Sequence, residues 1–119
     1  IRSIQASGLK LIVCCENIDE AKIILEAKPH AIAFEPKELI GSGASVTNKG
    51  WEVEEFIKLV KDKSLAIIGA GITTGKDVKK SYELGADGVL LASAFVKAQE
   101  PFEKLKDLIL VWSINYFSL

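Results

Sequence analysis

Four short apolar runs recur along the chain, and each is followed by a stretch with helical spacing. The first run is Leu9 to Cys15 (LKLIVCC). Asn17 then stands where a helix cap is needed, with Glu20 at the capping-box position, and Ile18, Ala21, Ile24 and Leu25 share one helical face. Pro29 stops that helix. The second run, Ala31 to Phe34, leads directly into Glu35. Helical spacing resumes at Val53, Phe56, Ile57 and Val60, the i, i+3, i+4, i+7 pattern of an amphipathic helix. Leu65 to Ile68 is the third run and ends in Gly69-Ala70-Gly71; a helix from about Thr74 to Leu84 follows, with Gly85 as its stop. Gly88 to Leu91 is the fourth, ending in Ala92-Ser93. A last helix opens near Pro101, well placed at a first helical position, and its spacing directs Phe102, Leu105, Leu108, Ile109 and Trp112 inward.

Strands that are apolar on both faces and alternate with helices belong to a parallel sheet covered by helices. Two architectures fit: a small open doubly wound sheet, or part of a (β/α)₈ barrel, which takes about 250 residues for its eight units. Four units in 119 residues are about half of that. Residues 1–119 read as one partial domain without linker or low-complexity sequence, with 109–119 as an apolar C-terminal tail of no assigned role.

Composition narrows the function more than the fold. With 49% apolar and 26% charged residues, the chain is neither disordered nor fibrous. A net charge of −1 without a basic cluster argues against nucleic acid. No apolar run reaches the roughly 18–20 residues of a membrane span; the stretch from Leu108 to Leu119 is interrupted by Ser113, Asn115 and Ser118. Cys14 and Cys15 are neighbours that a strand would point to opposite faces, so a disulfide between them would be strained. Two cysteines are also too few for a secreted scaffold, and a reducing cytoplasmic compartment is expected. The chain starts at Ile1 rather than Met and shows no signal-peptide pattern, which is expected of a piece of a longer chain.

In parallel α/β folds the functional groups gather at the C-terminal ends of strands. Glu35 is the most informative of them. It continues a strand, is followed by Pro36, and, partly desolvated, could act as a general base; the plainer alternative is a carboxylate that pairs with a lysine or caps a helix. Fifteen residues, PKELIGSGASVTNKG, separate it from the next helix, where about 2–6 are usual. Rigid at its start, apolar at Leu39 and Ile40 and flexible at Gly41 and Gly43, this segment has the build of a lid that excludes water. Gly69, Gly71, Ala92 and Ser93 read as two halves of a backbone phosphate cup, with Thr73-Thr74 opening a helix whose N–H groups face the anion, and with no Arg or Lys required. His30 precedes its strand and falls at the opposite end. The cysteines lack a nearby His and are assigned to packing, as are Trp51, Trp112, Tyr116 and Phe117. There is no metal-ligand cluster, nucleotide fingerprint or serine elbow.

The strings AIAFEPKELIGSG, SVTNKGWEVEEFIKLVK and IIGAGITTGKDVKKSYELGADGVLLAS together resemble the C-terminal half of archaeal-type triosephosphate isomerases, from Ile1 to about Leu108. The resemblance implies strands five to eight of a TIM barrel. It also implies a cofactor-free and metal-free isomerase of glycolysis and gluconeogenesis acting on a phosphorylated triose, a homo-oligomer (dimer or tetramer) when intact. By the same resemblance Glu35 is the base, and Pro36, Lys37, Glu38, Leu39, Ile40, Gly41, Ser42 and Gly43 form the lid. Ile40, Gly71, Ala92 and Ser93 contact substrate or its phosphate, and Cys14 packs beneath the site. Lys37 departs from the family's second lid proline, which should loosen the hinge and add a charge near the base, and Trp51 departs from a proline. The family's substrate-orienting Asn and Lys and its electrophilic His belong to the N-terminal half and have no counterpart here, so this chain alone should be inactive. Two other readings stay open: a non-catalytic half-barrel that binds phosphate or self-associates, and another phosphate-binding barrel enzyme such as a synthase or aldolase.

Overall fold

The computed structural model describes residues 1–40 and 44–116, with side chains up to residue 110 except at 46 and 47. The elements are α1 (Arg2–Ala6), β1 (Ile12–Cys15), α2 (Ile18–Glu26), β2 (Ala31–Phe34), α3 (Gly50–Val60), β3 (Leu65–Ile68), α4 (Gly75–Glu83), β4 (Gly88–Val89), α5 (Ser93–Val96) and α6 (Pro101–Tyr116). Two 3-10 turns, Lys37–Leu39 and Val46–Lys49, break up the long connection after β2.

Each βα unit begins and ends for a local reason. Asn17 caps α2 by accepting the Glu20 N–H at 2.9 Å, while the Glu20 carboxylate reaches back to the Glu16 N–H at 2.8 Å. Gly85, at φ +101°, ends the turn after α4 in a conformation only glycine adopts without strain. β1 starts at Ile12 rather than Leu9 because its one neighbour, β2, offers partners only from Ala31 onward. β4 is likewise short, paired on one side alone. The unanticipated α1 is held by Gln5, whose Nε2 donates to the carbonyls of Ala27 and Lys28 at 2.8 and 3.1 Å.

The sheet order is β1-β2-β3-β4, all parallel. A doubly wound sheet reverses its strand order at a switch point; this one does not, and successive right-handed crossovers then place every helix on the same side. The register shows the consequence. Cys15, Phe34, Ile68 and Val89 form one row across the sheet, and Cys14, Ala33, Ile67 and Gly88 form the next. Because strand neighbours face opposite ways, the first row meets the helices and the second does not. Phe34, Ile32, Ala66 and Ile68 are buried against Val53, Phe56, Ile57 and Val60 of α3 and Val78 of α4. The rings of Phe34 and Phe56 stack at 5.0 Å and 15°.

The opposite face carries apolar side chains that nothing among the described residues covers: Ile12, Leu65 and Leu90 are 48%, 41% and 37% exposed. The helices of these four units cover one face of the sheet. A correction concerns α6. Leu108 is buried, but Phe102, Leu105 and Ile109 fall on a second face of the helix and are exposed. α6 touches α4 and α5 along the line of Lys104, Asp107 and Leu108, so residues on the other side of the helix stay exposed, with the Lys106 ammonium 4.7 Å from the centroid of the Phe102 ring. Trp51 is also exposed rather than packed, since α3 turns Val53, Phe56, Ile57 and Val60 to the sheet. The side chains of Trp112 and Tyr116, and Phe117, lie outside the described residues.

Phe56→Ala removes a ring stacked in the fully buried layer, and the expected loss of stability is about 3–5 kcal/mol. Urea unfolding followed by far-UV circular dichroism checks this; a loss below about 1 kcal/mol would mean that α3 does not anchor the sheet.

Candidate functional site

Strand pairing runs one residue past β2 on both sides. The Glu35 N–H donates to the Cys15 carbonyl and the Gly69 N–H to the Phe34 carbonyl, each at 2.8 Å. Glu35 is thus clamped between two neighbouring strands and, by alternation, shares the uncovered face with Ala31 and Ala33. Its side chain lies over Gly69. A Cβ built on Gly69 would overlap Glu35 Cγ and stand 2.6 Å from Oε1 and 2.9 Å from Cδ. Gly69 therefore makes room for the carboxylate, a role its sequence position, read as close approach to a ligand, did not reveal.

The two cysteines divide between the faces. Cys15 is buried against the helices, and its thiol is pushed up to about 12 by burial first and then by the charges of Glu20, Cys14 and Glu35. Cys14 is exposed on the Glu35 face. Its thiol donates to the Glu35 carboxylate, and burial, the Glu35 charge and this hydrogen bond, in that order, raise its pKa. Both are free thiols.

Glu35, Ile40, Gly71, Ala92 and Ser93 all line one cavity of about 620 Å³ at the C-terminal ends of the strands. The chain segments that carry them are separated by up to 58 residues (35 to 93) and meet only through the parallel register. Gly71 holds φ +74° there, which lets the backbone turn toward the cavity. In the lid, Pro36 and Leu39 are buried and Ile40 is exposed at the cavity rim. Lys37 pairs with Glu16 at 2.8 Å, and that hydrogen bond and charge raise the lysine's pKa; its charge is thus directed to Glu16. Glu38 faces Lys49 at 3.9 Å. Gly41, Ser42 and Gly43 lie outside the described residues.

Two features of the cavity differ from expectation. Lys97 and Lys104 also line it, so the cup is not made of backbone alone, and the Lys104 Nζ donates to the Thr73 carbonyl at 3.1 Å. The N-terminus of α4, expected to face an anion, is already occupied by carboxylates. Asp77 accepts the N–H groups of Thr73 and Thr74 at 3.0 and 2.9 Å and the Thr73 hydroxyl at 2.9 Å, and Ser45 donates to its other oxygen. Asp107 of α6 takes the Gly75 N–H at 2.8 Å. Burial alone would raise the Asp77 pKa; the hydrogen bonds from Ser45, Thr73 and Thr74 outweigh it and hold the carboxyl below its usual range.

His30 lies at the other end of the strands, in a second cavity of about 480 Å³ with Lys61, Asp62 and Lys63. Among the described residues no group of His, Cys, Asp and Glu has metal-site geometry, and no helix is long and apolar enough to cross a membrane.

Residues 1–109 match the family model for triosephosphate isomerase. The chain belongs to the triosephosphate isomerase family. It is 46% identical over 106 residues to the triosephosphate isomerase of Methanopyrus kandleri, covering 86% of this chain and 47% of that protein. With the triosephosphate isomerase of Methanobrevibacter smithii it shares 43% over 113 residues, covering 92% of this chain and 51% of that protein. The chain therefore spans about half the length of these curated relatives. The fold is also that of a chain in the Amycolatopsis orientalis BexX/CysO complex, with a TM-score of 0.74 at 22% identity over 92% of this chain and 44% of that one. In this family context the uncovered sheet face and the site at the strand ends belong to an α/β parallel sheet of the TIM type.

Two measurements test the local chemistry. Glu35→Gln removes the charge beside Cys14, so the thiol pKa falls and alkylation of Cys14 by iodoacetamide at pH 8 speeds up several-fold, with buried Cys15 unreacted as reference. Mass spectrometry of timed quenches reads this, and an unchanged rate would refute the contact. For Asp77, a folded pKa below the unfolded value of about 3.9 means its contribution is present above pH 4 and lost as pH falls through the folded pKa. The stability gap between wild type and Asp77→Asn, read by urea unfolding, is expected to be full at pH 6 and to close toward pH 2.

Proposed function

We propose that this chain is the C-terminal half, strands five to eight, of a (β/α)₈ triosephosphate isomerase. In this reading it supplies the base, the lid and the phosphate cup for interconverting dihydroxyacetone phosphate and glyceraldehyde 3-phosphate. The observation that carries the reading is the convergence of Glu35 with Ile40, Gly71, Ala92 and Ser93 on one cavity at the strand ends. The family membership supplies the reaction.

Glu35 takes the proton from C1 of the ketose, and the C–H electrons form the C1=C2 bond while the C2=O π electrons move to O2. The same carboxyl returns the proton at C2 as C1=O forms, the hydroxyl proton passing from O1 to O2 by way of the carbonyl-polarising group of the other half. The reacting carbons sit over the Glu35 carboxylate, which Gly69 admits and Cys14 orients. The phosphate lies against the backbone of Gly71, Ala92 and Ser93. The lid from Pro36 through Gly43 closes over the triose, with Ile40 as its apolar contact. The group that polarises the carbonyl comes from the N-terminal half, for which this chain has no substitute.

That half is the partner the bare surfaces ask for. Ile12, Leu65 and Leu90 become barrel interior, the open edges at β1 and β4 gain neighbours, and the Phe102–Leu105–Ile109 stripe of α6 gains a helix to pack on. Residues 1–119 then form a partial domain, with 109–119 as an apolar tail of no assigned role, in a cytoplasmic enzyme that is a homo-oligomer when intact.

The chain alone is expected to show no isomerase activity and to gain it when coexpressed with the N-terminal half of the Methanopyrus kandleri relative. In that assembly Glu35→Gln is expected to lower kcat by about 10²–10⁴. Gly69→Ala, which pushes the carboxylate aside, is expected to lower kcat by about tenfold or more while KM changes little. Activity of the isolated chain, or full kcat in the Glu35→Gln assembly, would overturn the reading. Sedimentation distinguishes the self-associating half-barrel, which would dimerise and remain inactive with the partner half present.

A further inference from the structure

We propose that Lys104, on the first turns of α6, anchors the phosphate at the wall of the cavity opposite Glu35. The inference deepens the reading above and rests on it, since it assumes that this cavity takes a phosphate monoester. Among the described residues that line the cavity, the charged ones are Glu35, Lys97 and Lys104. They are ordered along the loop after β3: Glu35 packs on Gly69 at its beginning, and Lys104 donates to Thr73 at its end. The cavity thus has an acidic end, where proton transfer is placed, and a basic end.

The basic end has a physical task. At the neighbouring helix start, Asp77 and Asp107 consume the N–H groups of Thr73, Thr74 and Gly75. A phosphate dianion arriving there finds these three N–H groups taken and two carboxylates behind them. A backbone cup alone would leave that repulsion uncompensated, and an ammonium at the rim offsets it. Lys97 is exposed, where solvent and salt screen it. Lys104 is half-buried, and its Nζ is held by the Thr73 carbonyl at 3.1 Å. An ammonium has three donors, so this bond orients the group and leaves others for an anion.

The rival explanation is a tether: Lys104 would simply tie the loop to α6. Lys104→Gln separates the two, because glutamine keeps an N–H donor for Thr73 and loses the charge, whereas Lys104→Arg keeps the charge. Inorganic phosphate is titrated into the full chain and its variants, following the amide resonances of Gly71 and Ser93 by NMR. Lys104→Gln is expected to weaken phosphate binding about fivefold or more at 20 mM salt, with the gap shrinking by 300 mM. Lys104→Arg is expected to stay within about twofold of wild type. Lys104→Met, with the aliphatic stem but neither charge nor donor, is carried in parallel and should match Lys104→Gln. Equal affinity in wild type and Lys104→Gln, or a salt-independent gap, overturns the anchoring role and leaves the cup intact. Absence of any phosphate-dependent shift at Gly71 and Ser93 in wild type instead overturns the phosphate reading of the cavity, and this proposal with it.

Discussion

Glu35 stands one residue beyond Phe34, and that single step carries it from the helix-covered face of the sheet to the bare one. Successive side chains of a strand point in opposite directions, so the register that buries Phe34 against Phe56 also directs Glu35 into the cavity. The two placements cannot be separated: a slip of one residue would put the ring where the carboxylate is. The packing of α3 on the sheet is therefore the constraint on which the site depends. Neighbouring strands complete it. Cys15 supplies the carbonyl that fixes the Glu35 backbone, Gly69 supplies the space for its side chain, and Cys14 supplies a hydrogen bond to its carboxylate.

The other end of the cavity follows a different logic. There the loop after β3 is held by side chains rather than by a sheet. Asp77 collects donors from Thr73 and Thr74 and from Ser45 at the exit of the lid, while Asp107 reaches across from α6 to Gly75. A Cβ at Gly75 would run into the Asp107 backbone carbonyl, so the glycine is what allows the two helices this close. These bonds fix the loop and leave carboxylate charge behind it. Rigidity of this end of the cavity and its electrostatics are coupled, and a cation near Thr73 is the natural counterweight.

Much of this was legible in the sequence, and the parts that were not share a cause. Two of the strands, Ala31–Phe34 and Leu65–Ile68, coincide with their apolar runs, and all four apolar positions of α3 are buried, because period and composition are local properties. The place of Glu35 at a strand end and the long connection after it were legible too. Side chains reaching across the fold were not. Lys104 and Thr73 are 31 residues apart, and Asp107 and Gly75 are 32 apart, so no spacing rule connects them. The free N-terminus read for α4 failed for the same reason: a cap from its own Asp77 is visible in the sequence, a cap from another helix is not. The bare sheet face was hidden in another way. An apolar strand reads alike whether its second face is covered by its own chain or by something else, and only the exposure of Ile12, Leu65 and Leu90 separates the cases.

That bare face links assembly to chemistry. The row Cys14, Ala33, Ile67 and Gly88 lies on the face that Glu35 shares, with Leu90 lining the same cavity as Glu35 and the exposed Ile12 and Leu65 at the far end of the strands. Covering them with a complementary half removes apolar surface from water, a gain of about 25 cal/mol per Å². The same closure excludes water from the cavity, where fixed charges and hydrogen bonds then act more strongly. The contacts that orient Glu35 all lie within this chain, so the proposed base is in position before the barrel closes. In the proposed assembly, closure would add the dry environment and the electrophile. A half-barrel of the proposed kind would separate preorganisation, which the local register provides, from activation, which would require the second half. Residues can therefore matter to the reaction for two distinct reasons: Gly69 and Cys14 through the placement of the carboxylate, Ile12 and Leu65 through the surface that draws the halves together.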